Sequence, residues 1–344
     1  MPSRNRPYPN RVTLHDVAAR SDVSYQTVSR VVNGNPHVAK ETRQRVLRII
    51  KELNYQPNTA ARSLVTRRSK LLEIIMFGGR HYGPSQMVLY VERAARERGY
   101  SLSVSNVAAM TLDEVRAAMN VLSGRLVDGI IMITPVVGVE YDEIAAVCQN
   151  IPFVMIDTQL GSISPSVVIN QQFGAQLATQ HLIDLGHRDI CEISGPLHWY
   201  DAYARHESWL HTLEQAGLTP GLSIEGDWTA MSGYEMGKRL LDSGVHFSAL
   251  VVGNDQMALG AMRALREHGK LHIPDDISVV GFDDIPEAAC FEPPLTTIRQ
   301  DFDALGSQSV NYLVDLIENP DLPLQQRVLY PHLVERQSTR PISR

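Results

Sequence analysis

The periodicity of the chain changes at Leu71, and that change constrains its architecture more than any other feature. Upstream, apolar residues recur only at helical spacing: Leu14, Val17 and Ala18, then Val28, Val31 and Val32, then Val46, Leu47, Ile50 and Leu53. Downstream, short apolar runs at 72–77, 101–107, 129–134, 153–157, 167–169, 189–194, 249–252 and 278–282 have strand character. Amphipathic stretches at 87–98, 112–123, 173–185, 201–215 and 257–268 lie between them and have helical character. Short apolar strands joined by helical crossovers imply parallel sheets covered on both faces. So many units exceed one small sheet, and 344 residues exceed one ordinary core. The expected fold class is a small all-α head followed by an α/β body of two doubly wound parallel-sheet lobes, with no visible internal repeat.

Charge divides near the same point. Residues 1–70 hold 14 Lys/Arg against 4 Asp/Glu, whereas the remainder holds 18 against 34, so a head of +10 is joined to a body of −16. A basic head on an acidic body is the electrostatic footprint of a nucleic-acid module attached to something else; the plainer alternative is a solvated basic face on a helical domain. Cys148, Cys191 and Cys290 are scattered without a CxxC, which argues against a disulfide framework or structural zinc and for a reducing cytoplasm. No secretory leader or membrane span is expected, because residues 1–10 are basic and Pro-rich and the longest apolar run, near Gly129–Val139, is too short. No cofactor or metal is expected either. The histidines show no ligand spacing, and Gly78-Gly79 is too short for a phosphate-binding fingerprint.

Within the head, Thr13 followed by Asp16 forms a capping-box pattern, Ser21-Asp22 a turn, and Ser24 a second N-cap before Tyr25–Val32, which Asn33-Gly34 ends. Two short helices joined by about four residues make a helix-turn-helix, whose second helix enters the major groove. With Val28, Val31 and Val32 inward, Tyr25, Gln26, Ser29 and Arg30 face outward, where Gln suits adenine and Arg suits guanine. The bare pattern is weak, because many enzymes contain two helices and a tight turn.

The wording is more specific. Val12-Thr13-Leu14-x-Asp16-Val17-Ala18, Val23-Ser24-Tyr25-Gln26-Thr27-Val28-Ser29-Arg30-Val31-Val32-Asn33 and Leu53-Asn54-Tyr55-Gln56-Pro57-Asn58 closely resemble the lactose/galactose repressor family of bacterial transcriptional regulators. The resemblance implies a DNA-binding set of Thr13, Ser24, Tyr25, Gln26, Thr27, Ser29, Arg30, Asn33 and His37, plus Asn58, Ala61 and Leu64. The last three belong to a hinge helix that folds on operator DNA in that family, with Leu64 as a minor-groove wedge; a linker leucine packed on the body is the plainer alternative. Two departures stand out. Asp22 replaces a turn glycine, which Asp can match by tolerating a left-handed backbone. Ala39 replaces a Ser cap on the third helix, at a cost of roughly 1 kcal/mol.

The resemblance continues through His181-Leu182-x-x-Leu185-Gly186-His187-Arg188 and Ile277-Ser278-Val279-Val280-Gly281-Phe282-Asp283-Asp284. It is closest to the lactose branch at 83–86, 225–233 and 254–264. It implies a periplasmic-binding-protein-like body with three crossovers, the last at Pro293–Ile298, and a ligand cleft between lobes. Expected bounds are 1–57 for the head, 58–69 for the hinge and 70–344 for the body, with lobes at 70–168 plus 299–328 and 169–298 plus 329–344.

A sugar site asks for bidentate acceptors and donors plus a flat apolar surface. By resemblance Asp157, Arg205, Asn254 and Asp283 meet hydroxyls, Trp228 and Phe302 stack, Gln300 lies at the rim, and Met87 and Pro84 shape the apolar side. Asp201 is included as a departure from the lactose branch, as are His81 and Tyr203, so the ligand need not be a β-galactoside. The plainer alternatives are helix caps for Asp157 and Asp283, a surface cation for Arg205 and plain core for Trp228. A glycosidase pair of Asp157 and Asp283 is disfavoured, since nothing in the sequence supplies an apolar pocket to raise either pKa. The expected protein is a cytoplasmic homodimeric repressor with operator DNA and a small sugar as partners. An architectural DNA binder and an intracellular solute-binding protein remain as alternatives.

Overall fold

The computed structural model describes residues 12–55, 68–109, 111–122, 126–133, 141–148 and 150–342. The chain forms two compact units, Met1–Ser69 and Lys70–Arg344.

The first unit contains α1 (Leu14–Ser21), α2 (Tyr25–Val32) and α3 (Lys40–Glu52). The capping box at the start of α1 is complete: the Asp16 carboxylate accepts from the Thr13 amide at 2.7 Å, and the Thr13 hydroxyl accepts from the Asp16 amide at 3.3 Å. Asp22 ends α1 in the left-handed conformation (φ 50°, ψ 49°), so Asp does hold the turn. Ser24 caps α2, and Ala39 leaves α3 without a side-chain cap. Val17, Ala18, Val28, Val31, Val46, Ile49 and Tyr55 form the core. One expected core residue does not belong to it. Leu47 is 49 % exposed, because α3 buries the face carrying Val46 and Ile49, with Ile50 and Leu53 only packed at its edge.

The second unit holds two six-stranded sheets. The first has the order β11-β5-β4-β3-β1-β2, from β1 (Leu71–Met76), β2 (Ser101–Asn106), β3 (Gly129–Ile133), β4 (Phe153–Ile156), β5 (Ser166–Ile169) and β11 (Gln326–Leu329). The second has the order β12-β10-β9-β8-β6-β7, from β6 (Ile190–Ser194), β7 (Ser223–Glu225), β8 (Ala249–Val252), β9 (Ser278–Asp283), β10 (Thr296–Arg299) and β12 (His332–Val334). All pairings are parallel except β10 with β12, an antiparallel edge. The chain crosses between lobes three times. After β5 the helix Gln171–Asp184 packs on the second sheet, after β10 the helix Phe302–Glu318 packs on the first, and β11 leads directly to β12.

Helix starts are chemically specified: Asn170, Thr229, Asn254 and Asp301 each accept a backbone N–H through the side chain. The helix Ala230–Asp242 has no counterpart in the periodicity, since its glycines mimic breakers. Gly233 is there for close approach: a Cβ would overlap the backbone of Met257 on the neighbouring helix Asp255–Glu267.

Candidate functional site

The carboxyl edges of both sheets converge on one cleft, the position at which diverging loops leave room for a ligand in doubly wound folds. Asp157 directly follows β4, Trp228 follows β7, Asn254 follows β8, Asp283 ends β9 and Gln300 follows β10. Met87 and Arg205 instead project from the early turns of the helices Tyr82–Glu97 and Tyr200–Gln215. His81, Tyr82, Gly83, Pro84, Met87, Trp199, Asp201, Arg205, Trp228, Asn254, Asp283 and Gln300 enclose a cavity of about 30 Å³. Phe302 lies next to it, edge-on to Tyr82 at 6.1 Å, and lines a wider opening that shares Asp283 and Gln300. Tyr203 is largely exposed and is not among the lining side chains.

Arg205 organises this cleft. Its Nε donates to Gln171 Oε1 at 3.0 Å and its Nη1 to the Gly253 carbonyl at 2.6 Å, with the guanidinium 3.7 Å above the Phe282 ring. Nη2 lies 3.9 Å from both Asp201 Oδ2 and Asp283 Oδ1. The residue is buried, so it is not a surface cation. Gln171 relays to Gln300 (2.9 Å), which donates to Asp283 (2.7 Å). Gln300 is therefore a buried bridge and not a rim residue; it is drawn inward by a donor, Gln171, on one side and an acceptor, Asp283, on the other. Asn254 is committed to structure at both ends, capping its helix through Oδ1 and donating through Nδ2 to the Trp228 carbonyl at 3.1 Å.

Asp157 behaves differently. It caps no helix, is 2 % exposed, and neither carboxylate oxygen has a partner among the described residues. Asp201 Oδ1, Ser194 Oγ and Trp228 Nε1 are likewise buried without partners. Unmet acceptors and donors of this kind cost free energy in an isolated protein and are what a polyhydroxyl ligand satisfies. Asp157, Trp228, Asp283 and Asp284 all have positive φ (58°, 74°, 113° and 56°). Such backbone costs on the order of 1–3 kcal/mol per residue and is retained where it aims a side chain.

Burial raises the pKa of Asp157 well above the ordinary 3.8, the charge on Asp201 adds to this, and Arg205 opposes it. Burial also raises Asp201 against the pull of Arg205, and pushes Asp283 up to about 7 despite Arg205 and Gln300. A raised carboxyl pKa means the folded state holds protons the unfolded chain releases. Stability from these groups is therefore full below about pH 4 and lost as pH rises towards and through 7. Asp157→Asn removes part of that loss. Its urea midpoint is expected to gain on the wild type steadily between pH 5 and 8, and a constant difference would contradict the assignment.

On the first unit, Tyr25, Gln26 and Arg30 are exposed along α2, with Thr27 and Ser29 half-buried. Tyr25 stacks on His15 at 4.8 Å, and the Ser24 hydroxyl accepts from the Thr27 amide at 3.2 Å. Thr13, Asn33 and His37 are also exposed. Asn58, Ala61 and Leu64 lie outside the described residues.

Three cleft residues escaped the sequence reading: Trp199, Gln171 and Tyr82. Trp199 ends the loop after β6, the same strand-end position that singled out Asp157 and Trp228, so its signal was present. It stands 5.3 Å from Phe77, 5.2 Å from His81 and 6.1 Å from Trp228, touching both lobes. Gln171 carries no chemical signal before Arg205 is placed beside it.

Comparison with known proteins gives the arrangement a family. Residues 13–58 match "Bacterial regulatory proteins, lacI family" and residues 179–339 match "Periplasmic binding protein-like domain". The lactose operon repressor of Escherichia coli (strain K12) is 39 % identical over 328 residues, 95 % of this chain and 91 % of that protein. The chain belongs to the lacI family. The ribose operon repressor of the same organism is 36 % identical over 95 % of this lacI-family chain and 99 % of its own. A solved structure described as the lac repressor dimer bound to operator and the anti-inducer ONPF superposes with a TM-score of 0.89 at 37 % identity, covering 96 % of this chain and all of that one. These relatives are repressors and not enzymes, and the lacI-family protein described here is a transcriptional regulator. Among its described residues no helix is long and apolar enough to cross a membrane.

Proposed function

We propose that this protein is a sequence-specific transcriptional repressor that binds a pseudo-palindromic operator as a homodimer and is released by a small sugar held between the lobes. The division into head (1–57), hinge (58–69) and ligand-binding body (70–344) belongs to the same proposal. The observation that carries the ligand half is the buried, partnerless Asp157 carboxylate facing Arg205, Asp201 and Asp283 at the carboxyl edges of two sheets. The DNA half is supported by a capped α2 with Gln26 and Arg30 exposed on a head of +10. A dimer is supported by the family relative solved as one on its operator.

The test is a thermal-shift screen of sugars on the full chain, followed by operator binding with each hit. A ligand at 100 times its Kd adds roughly 2.7 kcal/mol of stability. A protein that binds DNA yet responds to no ligand would instead be an architectural binder. In operator selection experiments, Gln26→Ala is expected to relax preference at one base position by ~1–3 kcal/mol. Uniform weakening on all DNA would remove Gln26 from the reading surface.

A further inference from the structure

We propose that the cleft ligand carries a positive charge, as a protonated amino group on a polyhydroxylated ring: an amino sugar in preference to a neutral one. This rests on the sugar-cleft reading and narrows its substrate class.

The argument begins with charge balance. Three acidic groups, the buried Asp157 and Asp283 and the largely buried Asp201, share one guanidinium, which lies within ion-pair reach of Asp201 and Asp283 and acts on Asp157 through its charge. Arg205 spends its two well-formed donations on neutral groups, Gln171 and the Gly253 carbonyl, and reaches Asp201 and Asp283 only at 3.9 Å. Among the described residues no other Lys or Arg forms an ion pair with these three carboxylates. Hydroxyl groups can donate hydrogen bonds to such acceptors, but they bring no positive charge that would let carboxyls pushed by burial towards the protonated form ionise in the cleft. An ammonium group meets both demands, since buried charge is tolerated when paired and hydrogen-bonded.

Position and surroundings agree with this. The unused acceptors are both oxygens of Asp157 and Oδ1 of Asp201, so the unmet demand is concentrated on two carboxylates that repel each other. Trp199 and Trp228 line the same cavity as Asp201, with ring centroids 6.1 Å apart at 72°. Indole faces attract cations as well as the C–H face of a sugar ring. Trp228, which lines the cavity, keeps a buried, unpartnered Nε1 that can serve a hydroxyl.

Isothermal titration of the full-length protein at pH 7 separates the possibilities, using 2-, 3- and 6-amino-deoxyhexoses, their N-acetyl derivatives and the parent neutral hexoses. An amino sugar is expected to bind at least tenfold more tightly than both its neutral parent and its N-acetyl form. Asp201→Asn, with folding checked by its melting temperature, is expected to shrink that preference to less than threefold. Equal or tighter binding of the neutral parents overturns the inference while leaving the sugar-cleft reading intact. Failure of every sugar, charged or neutral, to bind overturns the sugar-cleft reading and this inference with it.

Discussion

Arg205→Ala is expected to abolish any ligand-induced change in DNA binding and to destabilise the second unit by about 3–5 kcal/mol, the usual cost of leaving buried ionic partners uncompensated. The substitution strands the Gln171 amide oxygen and the Gly253 carbonyl, both of which accept from the guanidinium. It also removes the only described cation from Asp201 and Asp283, whose carboxyls burial already pushes upward. The head is a separate compact unit with its own core, so ligand-free operator affinity should persist. Arg205→Lys provides the finer measurement. It keeps the charge but loses the planar fork that spans Gln171 and Gly253, so ligand response should still fail with a smaller loss in the urea midpoint. A wild-type ligand response in either variant would remove Arg205 from the binding machinery.

The second large effect concerns a residue with no polar chemistry. Gly195→Ala places a Cβ on the ring carbons of Trp228, and the backbone around Gly195 is tight, since a Cβ on Gly253 would stand 2.8 Å from the Gly195 nitrogen. Trp228 is itself held at positive φ, so it cannot relax without changing its backbone. Overpacking of this kind costs about 1–3 kcal/mol. The displaced indole should lower ligand affinity at least tenfold and shift tryptophan emission. Gly78→Ala is the counterpart in the other lobe, where the Cβ would meet Trp199 and the backbone is left-handed at φ +72°. If both variants keep ligand affinity and emission unchanged, the two tryptophans do not form the cleft walls.

Much of this was legible before any coordinates. Caps are local chemistry, so Thr13 with Asp16 announced α1 and Ser24 announced α2, and Asp22 did hold the left-handed turn. The long apolar strands were equally plain, because a strand buried on both faces has no polar alternation to dilute its signal. Errors arose where a contact elsewhere in the molecule overrode the local pattern. Leu47 satisfies helical spacing as well as Val46 does, and only the side on which α1 and α2 pack decides that Leu47 is exposed. The short strands β7, β11 and β12 carry mixed or polar residues and exist through backbone pairing with better neighbours.

The sequence by itself determined a basic helical head, an α/β body of two sheets and the chemical types that gather at strand ends, since each depends on spacing within a few residues. Tertiary structure alone decided which side chains meet. It placed Gln171 and Gly253 under Arg205, drew Gln300 inward, brought Trp199 to Trp228 and left Asp157 without a partner. Those contacts join residues tens of positions apart across three crossovers, and their energetics depend on burial, which no local pattern encodes. The change of periodicity at Leu71 therefore marked where the two units divide, whereas the contacts among the cleft residues exist only once the second unit has folded.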